Sequence, residues 1–236
     1  MPMPDALLSI RNLEASYGDF QALFGISINV FPGEVISIIG ANGAGKSTLM
    51  RSITGLLKNK PEMVTWKGQN VGALRADQIA HLGIGMVPEG RQLFPSLSVE
   101  ENLVIGGQSG RKGAWDLEKV FALFPVLKER RNVPSTALSG GQQQMVAIGR
   151  ALMSNPDILL FDEISLGLAP IIIKSIYEAL PDIIGDGMSA IIVEQDIAKA
   201  LSVSSRVYCI QEGRISLEGR PDELNREQIS AAYFGV

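Results

Sequence analysis

Lys46 and Ser47 close the octet Gly40-Ala41-Asn42-Gly43-Ala44-Gly45-Lys46-Ser47, which fits the pattern GxxxxGK[ST] at every fixed position. Glycines at these spacings let the backbone curl until successive N–H groups point at phosphate oxygens. A helix starting directly after the loop adds a favourable field for anions. The octet therefore suits binding of nucleotide phosphates. Lys46 is placed to reach the β- and γ-phosphates, and the Ser47 hydroxyl to hold Mg2+. Thr48 completes the nucleotide-binding stretch.

A second reactive cluster is Asp157-Ile158-Leu159-Leu160-Phe161-Asp162-Glu163, an apolar strand ending in two carboxylates. In enzymes with such a phosphate loop, an acidic residue at a strand end coordinates the magnesium that bridges the phosphates, a role Asp162 fits. Glu163 is placed to act as general base on an attacking water. A solvated turn after a core strand has the same appearance. The phosphate loop upstream favours the catalytic reading. The third string, Leu138-Ser139-Gly140-Gly141-Gln142, opens a helix: Ser139 is a good N-cap, and Met145, Ile148 and Leu152 form an apolar stripe. Two glycines at that start expose backbone N–H groups at the positive end of the helix dipole, a second anion site.

These residues need particular elements beneath them. Glu34–Ile39 is an apolar, β-branched run that predicts a buried strand before the octet. Leu49, Met50, Ile53, Leu56 and Leu57 predict a helix after it, near 46–57. Further strands are expected near 7–13, 25–31, 84–88, 157–161, 188–193 and 206–211, with helices near 170–185 and 195–203. Strands alternating with helices predict an α/β fold with a mostly parallel sheet. Turns at Tyr17-Gly18-Asp19 and Pro32-Gly33 suggest an antiparallel β flank at the N-terminus. Residues 95–153 lack strand patterning and read as an inserted helical subdomain. The expected organisation is a single domain over 1–236, with a core of about 1–92 and 154–236 and a helical subdomain of about 93–153.

Composition narrows the setting. The chain has 236 residues, 46% of them hydrophobic and 19% charged, the profile of a soluble globular protein with a real core. A net charge of -4 argues against a surface built for nucleic acid. With Cys209 the only cysteine, no internal disulfide can form, and a reducing cytoplasm is the expected compartment. Cys209 sits in the apolar run Val207–Ile210 and reads as a small buried hydrophobe. The start, Met1-Pro2-Met3-Pro4-Asp5, lacks the pattern of a signal peptide, and no window reaches the ~18 apolar residues of a membrane span.

LSGGQ between a phosphate loop and a strand ending in DE resembles the signature of ATP-binding cassette (ABC) ATPases, and the resemblance covers essentially the whole chain. It implies a P-loop NTPase core, ATP and Mg2+ as ligands, and two ATPase subunits packed head to tail. Ser139, Gly140, Gly141 and Gln142 would then complete the partner's ATP site, and Tyr17 would stack on adenine. The family usually has glutamine where this chain has Glu89, an added carboxylate near the magnesium. Its switch histidine becomes Gln195, whose amide can donate to a γ-phosphate oxygen but cannot take a proton. The sole histidine, His81, reads as a surface helix residue. After Glu163, Ile164 stands where proline is common and Ala169 where aspartate is common.

VPEGR, SLGLAP, VEQ and the closing Tyr233-Phe234-Gly235 resemble ATPase subunits of importers for branched-chain amino acids, a group that also serves urea and short amides. That resemblance implies transmembrane permease subunits, an external solute-binding protein, and a peripheral location on the cytoplasmic face of the inner membrane. It also implies a coupling groove near Glu89 to Ser98, beside Phe94 and Pro95. A non-transport cassette ATPase of cofactor-assembly type and a low-turnover regulatory subunit stay open as alternatives. Asn59-Lys60-Pro61-Glu62 resembles a guanine-reading NKxD motif but ends in glutamate and follows the first helix, so it carries no assignment.

Overall fold

The computed structural model describes residues 5–185 and 187–234. The expectation about Met1–Pro4 and the resemblance at Gly235 lie outside the described residues. In chain order the elements are β1 (Leu8–Tyr17), β2 (Phe20–Val30), β3 (Val35–Ile39), α1 (Lys46–Ile53), β4 (Val64–Trp66), β5 (Gln69–Asn70), α2 (Ala76–His81), β6 (Ile84–Val87), α3 (Val99–Gly106) and α4 (Leu117–Leu123). They continue with α5 (Pro125–Glu129), α6 (Gly140–Leu152), β7 (Ile158–Asp162), α7 (Pro170–Ile184), β8 (Ser189–Glu194), α8 (Ile197–Val203), β9 (Arg206–Gln211), β10 (Arg214–Gly219) and α9 (Arg226–Phe234). Two compact units result, residues 1–79 with 189–236, and residues 80–188.

The first unit holds two sheets. The antiparallel flank runs in the order β2-β1-β4-β5, with Tyr17 paired to Phe20 across the Gly18-Asp19 turn. Beside it, β3 pairs in parallel with both β8 and β9, and β10 adds an antiparallel edge to β9. Every residue of β8 is buried, as a strand covered on both faces requires. Ile39, Ala200, Val207, Cys209 and Ile229 form one core cluster beneath the end of β3, so Cys209 is the buried hydrophobe its neighbours suggested. Helix α1 stops at Ile53, four residues short of the expected end. The Thr54 hydroxyl donates to the Met50 carbonyl at 2.8 Å, and Gly55 turns left-handed at φ 71. Leu56, expected on the buried stripe, is 64% exposed instead.

In the second unit β6 pairs in parallel with β7, Val87 beside Phe161. Among the described residues 93–153 form helices α3 to α6 and short 3-10 turns, with no strand. Ser98 and Glu101 cap α3 reciprocally, and Asp116 caps α4. His81 ends α2 and is exposed, the surface helix residue expected, whereas four elements escaped the sequence reading: β4, β5, β10 and α9.

Candidate nucleotide-binding and hydrolysis site

In the first unit the octet follows β3 and runs into α1, as its chemistry requires. The backbone approaches its neighbours too closely for side chains at two glycines. A Cβ on Gly40 would lie 2.3 Å from the Ile210 carbonyl oxygen, and one on Gly45 2.7 Å from Leu23 Cδ2. The Ala44 N–H donates to the Ala41 carbonyl at 3.1 Å, curling the loop. Lys46 is only 4% exposed; its ammonium donates to the carbonyls of Gly40 at 2.8 Å and Ala41 at 3.0 Å. Hydrogen bonds to a charged group contribute about 1.5–3 kcal/mol each, which offsets burying the ammonium.

Helix α1 has Gly45 at its N-cap, no side-chain cap, and no acidic residue in its first turn. The helix itself thus places no carboxylate beside its first N–H groups, and N–H groups with a lysine ammonium are a donor set of the kind a phosphate takes. Thr48 is buried and Ser47 half-buried, while Ala41, Asn42 and Gly43 are exposed. Tyr17 is 42% exposed, and its hydroxyl accepts from Arg51 Nη1 of α1 at 3.4 Å. Parallel register sets Ile39 beside Glu194, so Gln195 leaves β8 level with Gly40. Asp196, directly after Gln195, caps α8 by accepting the Lys199 N–H at 3.2 Å. Its hydrogen bond and ion pair with the Lys199 side chain hold its carboxyl below the usual range.

In the second unit the register sets Val87 beside Phe161, which brings Glu89, Asp162 and Glu163 to one end of a strand pair. Asp162 is 4% exposed, Glu163 half-buried and Glu89 exposed. Glu163 has φ 51, a left-handed conformation that is costly for a residue with a Cβ and is concentrated at functional sites. The carboxylates of Asp162 and Glu89 are hard oxygen donors, the chemistry magnesium takes. The signature string caps α6: Ser139 Oγ accepts the Gln142 N–H at 3.3 Å, and Gln142 Oε1 accepts the Ser139 N–H at 3.0 Å. Gly140 and Gly141 form the first turn of α6, while Met145, Ile148 and Leu152 are buried as expected.

Sequence reasoning missed the residues that brace these groups. Arg150 of α6 donates to the carbonyls of Gln92 at 2.8 Å and Arg91 at 3.1 Å, both left-handed, and lies 5.6 Å from the Phe94 ring centroid. Burial pulls its pKa below the ordinary value. The Arg91 guanidinium lies against Gly140: a Cβ there would be 3.3 Å from Nη2. An arginine in a loop and another late in a helix give no local signal of such a brace. Asn59, of the dismissed NKxD-like string, donates to the carbonyls of Ser52 and Leu57 and closes the turn after α1.

Residues 23–165 match the ABC transporter family, and the chain belongs to it. Its fold is the P-loop α/β fold of ATP-binding cassettes, and it is an ATP-binding, ATP-hydrolysing transporter subunit. The chain is 41% identical over 232 residues to BraG, a high-affinity branched-chain amino acid transport ATP-binding protein of Pseudomonas aeruginosa; the match covers 97% of this chain and all of that one. LivG of Methanocaldococcus jannaschii, described as a probable branched-chain amino acid transport ATP-binding protein, is 33% identical, with 97% of each chain covered. A nucleotide-free ATP-binding cassette from an ABC transporter superposes with a TM-score of 0.81 at 31% identity, covering 97% of this chain and 95% of that one. A dimeric cassette bound to ADP and Pi superposes with a TM-score of 0.80 at 28% identity, covering 91% and 98%. Among the described residues no helix is long and apolar enough to cross a membrane.

Proposed function

We propose that this chain is the ATPase subunit of an importer for branched-chain amino acids or related amides, acting at the cytoplasmic face of the plasma membrane. The observation that carries the solute class is similarity to BraG along the full length of that protein. Permease subunits would span the membrane, and a solute-binding protein would deliver the cargo. The chain acts as one domain, a core of about 1–92 and 154–236 with a helical subdomain of about 93–153. Two such subunits, identical or related, close on two ATP molecules. Exposed apolar side chains at Leu166 and Ile171, directly after the carboxylate pair, suit contact with a second subunit.

The chemistry then falls to named groups. Loop N–H groups and Lys46 bind the phosphates and stabilise charge developing on the γ-phosphoryl. Tyr17 stacks on adenine. Ser139, Gly140 and Gly141, with Gln142 holding the cap, serve the partner's γ-phosphate. Glu163 takes the proton of the attacking water, and Gln195 donates a hydrogen bond to a γ-phosphate oxygen without exchanging a proton. Ser47, Asp162 and Glu89 would hold Mg2+, which when bound would supply positive charge to offset that of the phosphates. Affinity purification from membranes tests the assignment. Membrane-embedded permease subunits and hydrolysis stimulated by a branched-chain amino acid with its binding protein are expected. Capture of a soluble assembly complex alone would overturn it.

A further inference from the structure

The turn between β9 and β10 is two residues, Glu212-Gly213, both left-handed at φ 47 and 72. This is the I′ geometry of tight hairpins. Its second residue bonds outside the hairpin in both directions. The Gly213 N–H donates to the Ala44 carbonyl at 2.9 Å, and the Phe24 N–H donates to the Gly213 carbonyl at 2.9 Å. A Cβ on Gly213 would lie 2.3 Å from the Ala22 carbonyl oxygen and 2.8 Å from Phe24 Cδ2. One on Gly45 would lie 3.5 Å from Gly213 Cα. The hairpin tip is thus wedged between β2 and the phosphate loop, with no room for a side chain.

A trans peptide unit holds its C=O and N–H on opposite sides of one plane. With the Ala44 oxygen fixed on Gly213, the Gly45 N–H must point away from the hairpin. Gly45 is also the N-cap of α1 and has no side chain of its own to cap the helix. We infer that Gly213, some 170 residues from the loop in sequence, is a positioning residue of the nucleotide site: it fixes the Ala44–Gly45 peptide so that the Gly45 N–H is presented to a phosphate oxygen. The inference rests on reading Gly40–Ser47 as the phosphate loop. It adds that the β9–β10 turn sets the loop's donor geometry.

The fold supplies its own control. Lys67-Gly68, between β4 and β5, is a turn of the same kind at φ 46 and 80, and a Cβ on Gly68 would meet nothing within 4 Å. Gly68→Ala therefore carries the left-handed strain without touching the phosphate loop. The test measures fluorescent mant-ATP binding and thermal unfolding of the wild type, Gly68→Ala and Gly213→Ala. Gly213→Ala should bind at least about tenfold more weakly, a loss of about 1.4 kcal/mol, while Gly68→Ala stays within about twofold of the wild type. Nucleotide affinity of Gly213→Ala within about twofold of Gly68→Ala would overturn the inference. Failure of the wild type itself to bind would instead overturn the phosphate-loop reading. Should Gly213→Ala not fold, amide exchange on the wild type decides. Saturating ATP should slow exchange at Gly213 but not at Gly68, and an unchanged Gly213 rate would refute the role.

Discussion

Replacing Gly141 by alanine puts a methyl group where Ile172 of α7 already stands. The new Cβ would lie 2.6 Å from Ile172 Cγ2, 3.0 Å from Cγ1 and 3.1 Å from Cδ1, and only Cδ1 can move away by rotation about χ2 alone. Overpacking of this kind costs about 1–3 kcal/mol. Alanine returns about 1 kcal/mol as a better helix former than glycine. Net destabilisation is therefore about 0–2 kcal/mol, and at roughly 2–4 °C per kcal/mol for a chain of this size the melting temperature falls by up to about 8 °C. Ile172→Ala removes all three crowding atoms, so in that background Gly141→Ala should become neutral or stabilising. Thermal unfolding of the four proteins of the cycle measures the coupling, expected at about 1–3 kcal/mol. ATP hydrolysis should follow, depressed in Gly141→Ala because the signature turn is displaced and partly restored in the double variant. Additive changes, within about 0.5 kcal/mol, would refute the crowding argument.

Three further outcomes follow from the same geometry. Asp196→Ala should cost about 1 kcal/mol by uncapping α8 and should lower turnover through neighbouring Gln195. Because the folded Asp196 pKa lies below its ordinary 3.8, the wild type's advantage over this variant is full above that value and fades as pH falls below it. Melting temperatures of both proteins across acid pH check the sign. The wild-type pH–rate profile should lack a limb near ~6.5, whereas Gln195→His should introduce one; a wild-type limb traced to His81 would count against Gln195. Burial pushes the Cys209 thiol up, so a thiol reagent at pH 8 should label the folded protein far more slowly than the denatured chain.

What could be read in advance was whatever is local in sequence. The octet, the strand ending at Asp162 and the capped start of α6 each carry their signal within a dozen residues, and the structure has each in the expected element. Strands β4 and β5 are three and two residues long, too short for a periodic pattern. In β10 half-buried and exposed residues alternate, with Arg214, Ser216 and Glu218 diluting the apolar signal of an edge strand. Helix α1 ended early because a threonine hydroxyl and a left-handed glycine outweighed the apolar spacing at Leu56. The braces at Arg150 and Gly213 join residues about 58 and 170 positions apart. No single-sequence pattern encodes such contacts, since they arise only once the fold has brought the backbones together.

If Glu163 takes a proton from water while the loop holds ATP, Glu163→Gln should stop turnover without releasing the nucleotide. The amide keeps the size and the hydrogen-bonding reach of the carboxylate but cannot accept that proton. Steady-state hydrolysis and ATP-dependent dimerisation should be measured on the same preparation. Loss of steady-state turnover with ATP-bound dimers retained is the expected result. A hydrolysis rate equal to that of the wild type would mean that the general base is another group and that Glu163 has no such role.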